Sequence, residues 1–126
     1  MNEFSDFIRS AALSIEFNKI PKNEGVRVSA WFFLRRPDED FVNRQRLPGK
    51  LKSSSLEARR TTVAIKPDVD NLAKFLLDAM TGVLFEDDSQ IVELNVHKLR
   101  DNVGTCDGRV AIQVERASNI TNMPNF

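Results

Sequence analysis

The chain has no tyrosine, and only one tryptophan, one histidine and one cysteine among its 126 residues. The single Cys106 excludes an internal disulfide, offers no metal-ligand spacing and reads as an inert side chain in a turn. The single His97 alternates outward on a predicted strand, which marks an exposed or partner-facing residue rather than a general base. With tyrosine missing, nine phenylalanines and Trp31 supply the core volume. No stretch approaches the roughly 20 apolar residues that a membrane span requires. Met1-Asn2-Glu3-Phe4-Ser5-Asp6 lacks the basic-then-apolar pattern of a signal peptide, so cytoplasmic residence is the default expectation.

An excess of either charge is also missing, since 18 basic residues balance 18 acidic ones. With 41% hydrophobic and 29% charged residues, this is the composition of a soluble globular protein, and the length suits one domain, 1–126, rather than two. The zero total conceals an asymmetry. Between Asn43 and Arg60 stand Arg44, Arg46, Lys50, Lys52, Arg59 and Arg60 against Glu57 alone. Between Pro67 and Asp107 stand nine carboxylates against Lys74, Lys98 and Arg100. A basic block beside an acidic block suits an enzyme that grips a polyanion and concentrates cations, although charged loops also arise without function.

Phe4, Phe7, Ile8, Ala11, Ala12 and Ile15 follow helical spacing and predict an amphipathic helix ending before Pro21. Val26 to Leu34 alternates with period two and predicts a strand, buried on much of both faces. Residues 38–59 show neither period, contain Pro48-Gly49 and Ser53-Ser54-Ser55, and predict a basic loop that is mobile without its ligand. Thr61 to Ile65 reads as a short strand. Leu72, Phe75, Leu76, Ala79, Met80 and Val83 predict a second helix, with Asp70 as N-cap and Gly82 at the C′ position. Val92 to Val96 and Val110 to Val114 predict two further strands, expected to pair as a hairpin across a turn from Asp101 to Asp107. The tail 117–126 is expected to fray. The expected fold is α+β: a small mixed sheet flanked by two main helices.

Asp68 and Asp70 lie two apart at the exit of an extended segment, where alternation directs both to one side. Such oxygen donors suit Mg²⁺, with Mn²⁺ not distinguished from it. Asp87 or Asp88, ahead of a strand, can complete the cluster. Lys74 lies one helical turn after Asp70 and can hold a scissile phosphate or stabilise developing charge. Taken singly, each residue has an ordinary use. Asp70 caps a helix, Asp78 pairs with Lys74, and Asp87-Asp88 forms a turn. The combination of a DxDN segment, a lysine one turn later and a second acidic pair is the more specific signal.

At these residues the chain resembles the RusA family of Holliday-junction resolvases. The likeness runs through Lys66-Pro67-Asp68-Val69-Asp70-Asn71-Leu72-Ala73-Lys74, Leu77-Asp78-Ala79-Met80-Thr81-Gly82-Val83-Leu84 and Asp87-Asp88-Ser89-Gln90-Ile91-Val92. Gly49-Lys50-Leu51-Lys52-Ser53 and Lys98 are also similar to the family, and the likeness extends over roughly residues 4 to 116. It implies a homodimeric, Mg²⁺-dependent endonuclease acting on four-way branched DNA, in bacteria, prophages or phages. By position, Asp68, Asp70 and Asp88 match the family's metal-binding aspartates and Lys74 its catalytic lysine. Arg44, Arg46, Lys50, Lys52, Arg59, Arg60 and Lys66 are the expected DNA contacts, to backbone rather than bases. Members usually begin with a strand and a basic, proline-rich segment before the first helix, whereas this sequence starts almost at that helix. A second reading follows: a branched-DNA-binding protein with weak cleavage or none. A nucleotide-sugar transferase using DxD is disfavoured by the short chain and the lack of a nucleotide-binding turn.

Overall fold

The computed structural model describes residues 3–36, 40–44, 49–50, 52, 66–100, 108–118 and 124. The described elements are helix α1 (Glu3–Ser14), strand β1 (Val26–Leu34), helix α2 (Val69–Met80), strand β2 (Ile91–Arg100) and strand β3 (Arg109–Arg116). A hydrogen-bonded turn lies at Val42–Arg44 and a single 3-10 turn at Asp88–Gln90. The result is two helices with a three-stranded mixed sheet, the α+β arrangement expected. The expected strand at 61–65 and the turn at 101–107 fall outside the described residues.

The sheet order is β2-β1-β3, so the predicted β2–β3 hairpin does not form and β1 lies between the two. Side-chain contacts give the register. Arg27 meets Glu93, Ser29 meets Asn95 and Trp31 meets His97, a constant offset that makes β1 and β2 parallel. Arg27 also meets Glu115, and the Ala117 N–H donates to the Gly25 carbonyl at 3.0 Å, which makes β1 and β3 antiparallel. Alternation made β2 and β3 legible as strands but carries no information on which strand each pairs with. A β-branched central strand with its alternate side chains fully buried was the better partner for both.

The chain divides into two compact units, and every strand contributes to each. The first comprises Met1–Ser29, Asp70–Asn95 and Gln113–Phe126. Its core includes Ile8, Ile20, Val26, Val28, Leu76, Met80 and Phe85. Fully burying an aliphatic or aromatic side chain of this kind stabilises by about 1.5–3 kcal/mol. Of the helical face expected on α1, Ile8 is buried, but Phe7 and Ile15 are 63% and 71% exposed. The buried stripe is narrower: Ser5 and Ile8 are buried and Ala12 half-buried.

α1 ends at Ser14, before Pro21 as expected and one residue short of Ile15. The Phe17 N–H donates to the Ala12 carbonyl at 2.8 Å and the Glu16 N–H to Leu13 at 3.2 Å, a Schellman ending with Glu16 in the left-handed region (φ 55). A glutamate stands where glycine is usual, so no sequence signal marked the stop. At Gly25 the neighbouring strand passes so close that a Cβ would stand 2.7 Å from the Ala117 carbonyl oxygen. Ala117, the first residue of the expected tail, is buried at this contact.

The second unit comprises Ala30–Val69 and Val96–Ile112. Its described core is Ala30, Phe32 and Phe41, with Arg36 1% exposed and ion-paired to Asp40 at 3.1 Å. Part of the aperiodic basic stretch is therefore built into this unit. Phe41 is inserted, the Val42 N–H donates to Lys50 at 2.8 Å, and the Lys52 N–H donates to Asp40 at 2.9 Å. One aromatic anchor has no periodicity, so pattern reading passes over it. The remainder of 38–59 lies outside the described residues.

Candidate active site

α2 begins at Val69, not after Asp70. Asp68 therefore occupies the position before the helix and Asp70 its first turn, where the unsatisfied N–H groups and the helix dipole favour negative charge. Period-two alternation does not extend through Asp70, because the helix begins two residues earlier than an N-cap at Asp70 implies. The helical geometry puts Lys74 one turn beyond Asp70 on the same face, and Lys66, Asp68, Asp70 and Lys74 are all exposed. The peptide bond between Lys66 and Pro67 is cis. From β2, Lys98 Nζ donates to the Pro67 carbonyl at 3.1 Å and so holds the corner that precedes Asp68.

The far end of α2 has the predicted stop. Gly82 takes φ 83, its N–H donates to the Phe85 carbonyl at 2.7 Å, and Thr81 Oγ1 caps Leu77 at 2.7 Å. Of the expected inward face, Leu76, Ala79 and Met80 are buried, Leu72 and Val83 half-buried, and Phe75 43% exposed.

Beyond Gly82 the chain reaches the second acidic pair, which the structure separates by role. The Asp87 carboxylate accepts from the Ser89 N–H at 3.4 Å and caps the turn Asp88–Gln90. The Ser89 backbone, then the Ser89 side chain and Asp88, hold the Asp87 carboxyl below the usual carboxylate range. Asp88 is exposed in the first turn of that short helix.

Gln90 fixes this arrangement and was missed from sequence. Its Oε1 accepts from the N–H groups of Glu86 and Asp87 at 2.8 and 2.9 Å. Its Nε2 donates to the Pro21 and Glu24 carbonyls at 2.8 and 3.1 Å. The spacing Asp87-x-x-Gln90 is a capping box, a readable signal. We expect Gln90→Leu to lower stability by about 2–4 kcal/mol, because two N–H groups lose a buried acceptor. Denaturant unfolding checks this, and an unchanged midpoint would show the amide to be dispensable.

Of the expected DNA contacts, Arg44, Lys50 and Lys66 are exposed and Lys52 is half-buried, whereas Arg46, Arg59 and Arg60 lie outside the described residues. Arg44 and its neighbour Asn43 both take left-handed conformations, at φ 55 and 57. Asp68 belongs to the second compact unit, and Asp70 and Asp88 belong to the first. Among the described residues, no three His, Cys, Asp or Glu side chains stand together as a metal-binding group.

Residues 1–115 match the family described as Endodeoxyribonuclease RusA. The chain belongs to the RusA family. A 69-residue stretch is also 33% identical to YqaN of Bacillus subtilis (strain 168), described as an uncharacterized protein. That stretch is 55% of this chain and spans 46% of the relative's length. The family match starts at residue 1 and takes in α1, α2 and nearly all of the sheet, so the RusA likeness is not confined to the acidic motif. Among the described residues, no helix of this RusA-family chain is long and apolar enough to cross a membrane.

Proposed function

We propose that this RusA-family chain is an endonuclease that resolves four-way DNA junctions by hydrolysing phosphodiester bonds. The observation that carries the proposal is the exposed set at the start of α2: Asp68, Asp70 in the first turn, and Lys74 one turn further on. A helix N-terminus that carries its own carboxylates repels a phosphate unless a cation intervenes, and a lysine alongside supplies positive charge for that phosphate. Carboxylate oxygens are the donors a hard divalent cation takes, and two of them with retained waters suffice for Mg²⁺. Asp68 and Asp70 would hold it, with Asp88 as third ligand and Mn²⁺ as a substitute. When bound, the cation activates water and polarises the phosphoryl group.

The protein's own side chains do the rest. Lys74 neutralises charge building on the phosphate. Arg44, Lys50, Lys52 and Lys66, together with Arg46, Arg59 and Arg60, attract the DNA backbone without reading base sequence. Two copies related by a two-fold axis suit a junction of near two-fold symmetry, and each copy would cut one strand. A bacterial, prophage or phage cytoplasm is the setting such DNA provides.

A labelled four-way junction incubated with the protein in Mg²⁺ and, separately, in chelator tests this. Paired nicks with Mg²⁺ and none with chelator are expected. A retarded complex without product in Mg²⁺ would leave a branched-DNA-binding protein instead.

A further inference from the structure

One face of β1 is consumed by the core, and the other is not. In the second unit the register places Trp31, Phe33, His97, Leu99, Arg109 and Ala111 on that other face. Trp31 and His97 are stacked, with ring centroids 5.6 Å apart and planes 10° from parallel. The Arg109 guanidinium lies 4.3 Å from the centre of the Phe33 ring. His97 and Arg109 are exposed, and Trp31 and Phe33 half-buried. No carboxylate shares this part of the face among the described residues. On the first unit's part, by contrast, Arg27 is engaged by Glu93 and by Glu115.

We propose that this aromatic and cationic face is a stacking platform for unpaired bases of single-stranded DNA, a contact separate from the acidic site. The inference rests on the nucleic-acid reading above. The argument is one of complementary chemistry. A planar base extends a stack that Trp31 and His97 have already ordered, so little side-chain freedom remains to be lost. A guanidinium held over a ring still presents N–H donors to the neighbouring phosphate, and among the described residues no carboxylate on this part of the face opposes it. Stacking on a sheet face tolerates any base, which suits a protein expected to select structure rather than sequence.

Trp31 is the only tryptophan, so its emission reports the platform directly. The full chain is titrated with an oligothymidylate of about eight nucleotides and with an abasic strand of equal length. Saturable quenching by the thymidylate alone is expected, with affinity about tenfold weaker in both His97→Ala and Arg109→Gln. These positions are exposed, so the variants should fold, and their unfolding midpoints check this. Equal quenching by the abasic strand, no quenching at all, or unaltered affinity in both variants overturns the platform. Emission that changes with protein concentration alone also overturns it, in favour of contact between copies. Junction cleavage measured on the same preparations separates the two readings. Cleavage without quenching removes the platform and keeps the nuclease, and quenching without cleavage does the reverse.

Discussion

Asp70→Asn abolishes junction cleavage while leaving junction binding intact or tighter. The substitution keeps size and hydrogen-bonding capacity and removes one negative charge, from an exposed position in the first turn of α2. Two accounts of Asp70 make different forecasts. If the carboxylate only complements the helix dipole, its loss lowers stability by about 0.3–1 kcal/mol and leaves turnover unchanged. If it is a cation ligand, the effect is far larger. Loss of a mere outer partner of a ligand typically lowers metal affinity or activity about 10–100-fold, so loss of the ligand itself should cost at least about a hundredfold. Binding should move the other way, because a carboxylate facing DNA phosphate is repulsive until a cation covers it. Cleavage and gel-shift assays on one preparation read both quantities. Normal cleavage by Asp70→Asn at saturating Mg²⁺ would falsify the proposed site.

The second large effect concerns stability. Phe85 is completely buried, and its backbone joins three segments: it bridges to Ile20 and to Thr81, and its carbonyl accepts from Gly82. Truncation to alanine removes a fully buried ring, at about 3–5 kcal/mol. Domains of this size have total stabilities of about 5–15 kcal/mol, so the variant should retain only a fraction of the native margin. Thermal or urea unfolding measures this, and a loss under about 1 kcal/mol would mean that the site collapses around the gap. Because Phe85 immediately precedes Glu86-Asp87-Asp88, a destabilised variant should also lose its hold on the acidic turn.

How far the sequence led depends on the kind of signal each element carries. α2 was readable at nearly every level, since its inward spacing and Gly82 both agree with the structure. Its start was displaced, because Asp68 and Asp70 are equally good residues for a helix N-terminus and spacing does not choose between them. The strands were legible through alternation, but their order was not, because pairing depends on distant partners. The stop of α1 was hidden by Glu16 in a conformation that glycine usually takes. Phe41 and Arg36 were missed because single buried anchors in an aperiodic stretch leave no pattern. Around the acidic turn, Gln90 did leave one, in the three-residue spacing from Asp87, and it passed unread. Asp68, Asp70, Asp88 and Lys74 were singled out by the spacing of carboxylates and lysine, a signal of chemistry rather than of fold.

The strand order bears on how the protein is made. β1 is complete by Leu34, yet its contacts with β2 reach 66 residues ahead and one to β3 reaches 88. Closing such loops is entropically slow, and folds dominated by distant pairings form more slowly than those built from neighbours. On the ribosome the helices can therefore take shape as they emerge, while β1 waits with both edges unpaired until the last third of the chain arrives. A bare apolar strand is an invitation to pair with the same strand of another nascent chain.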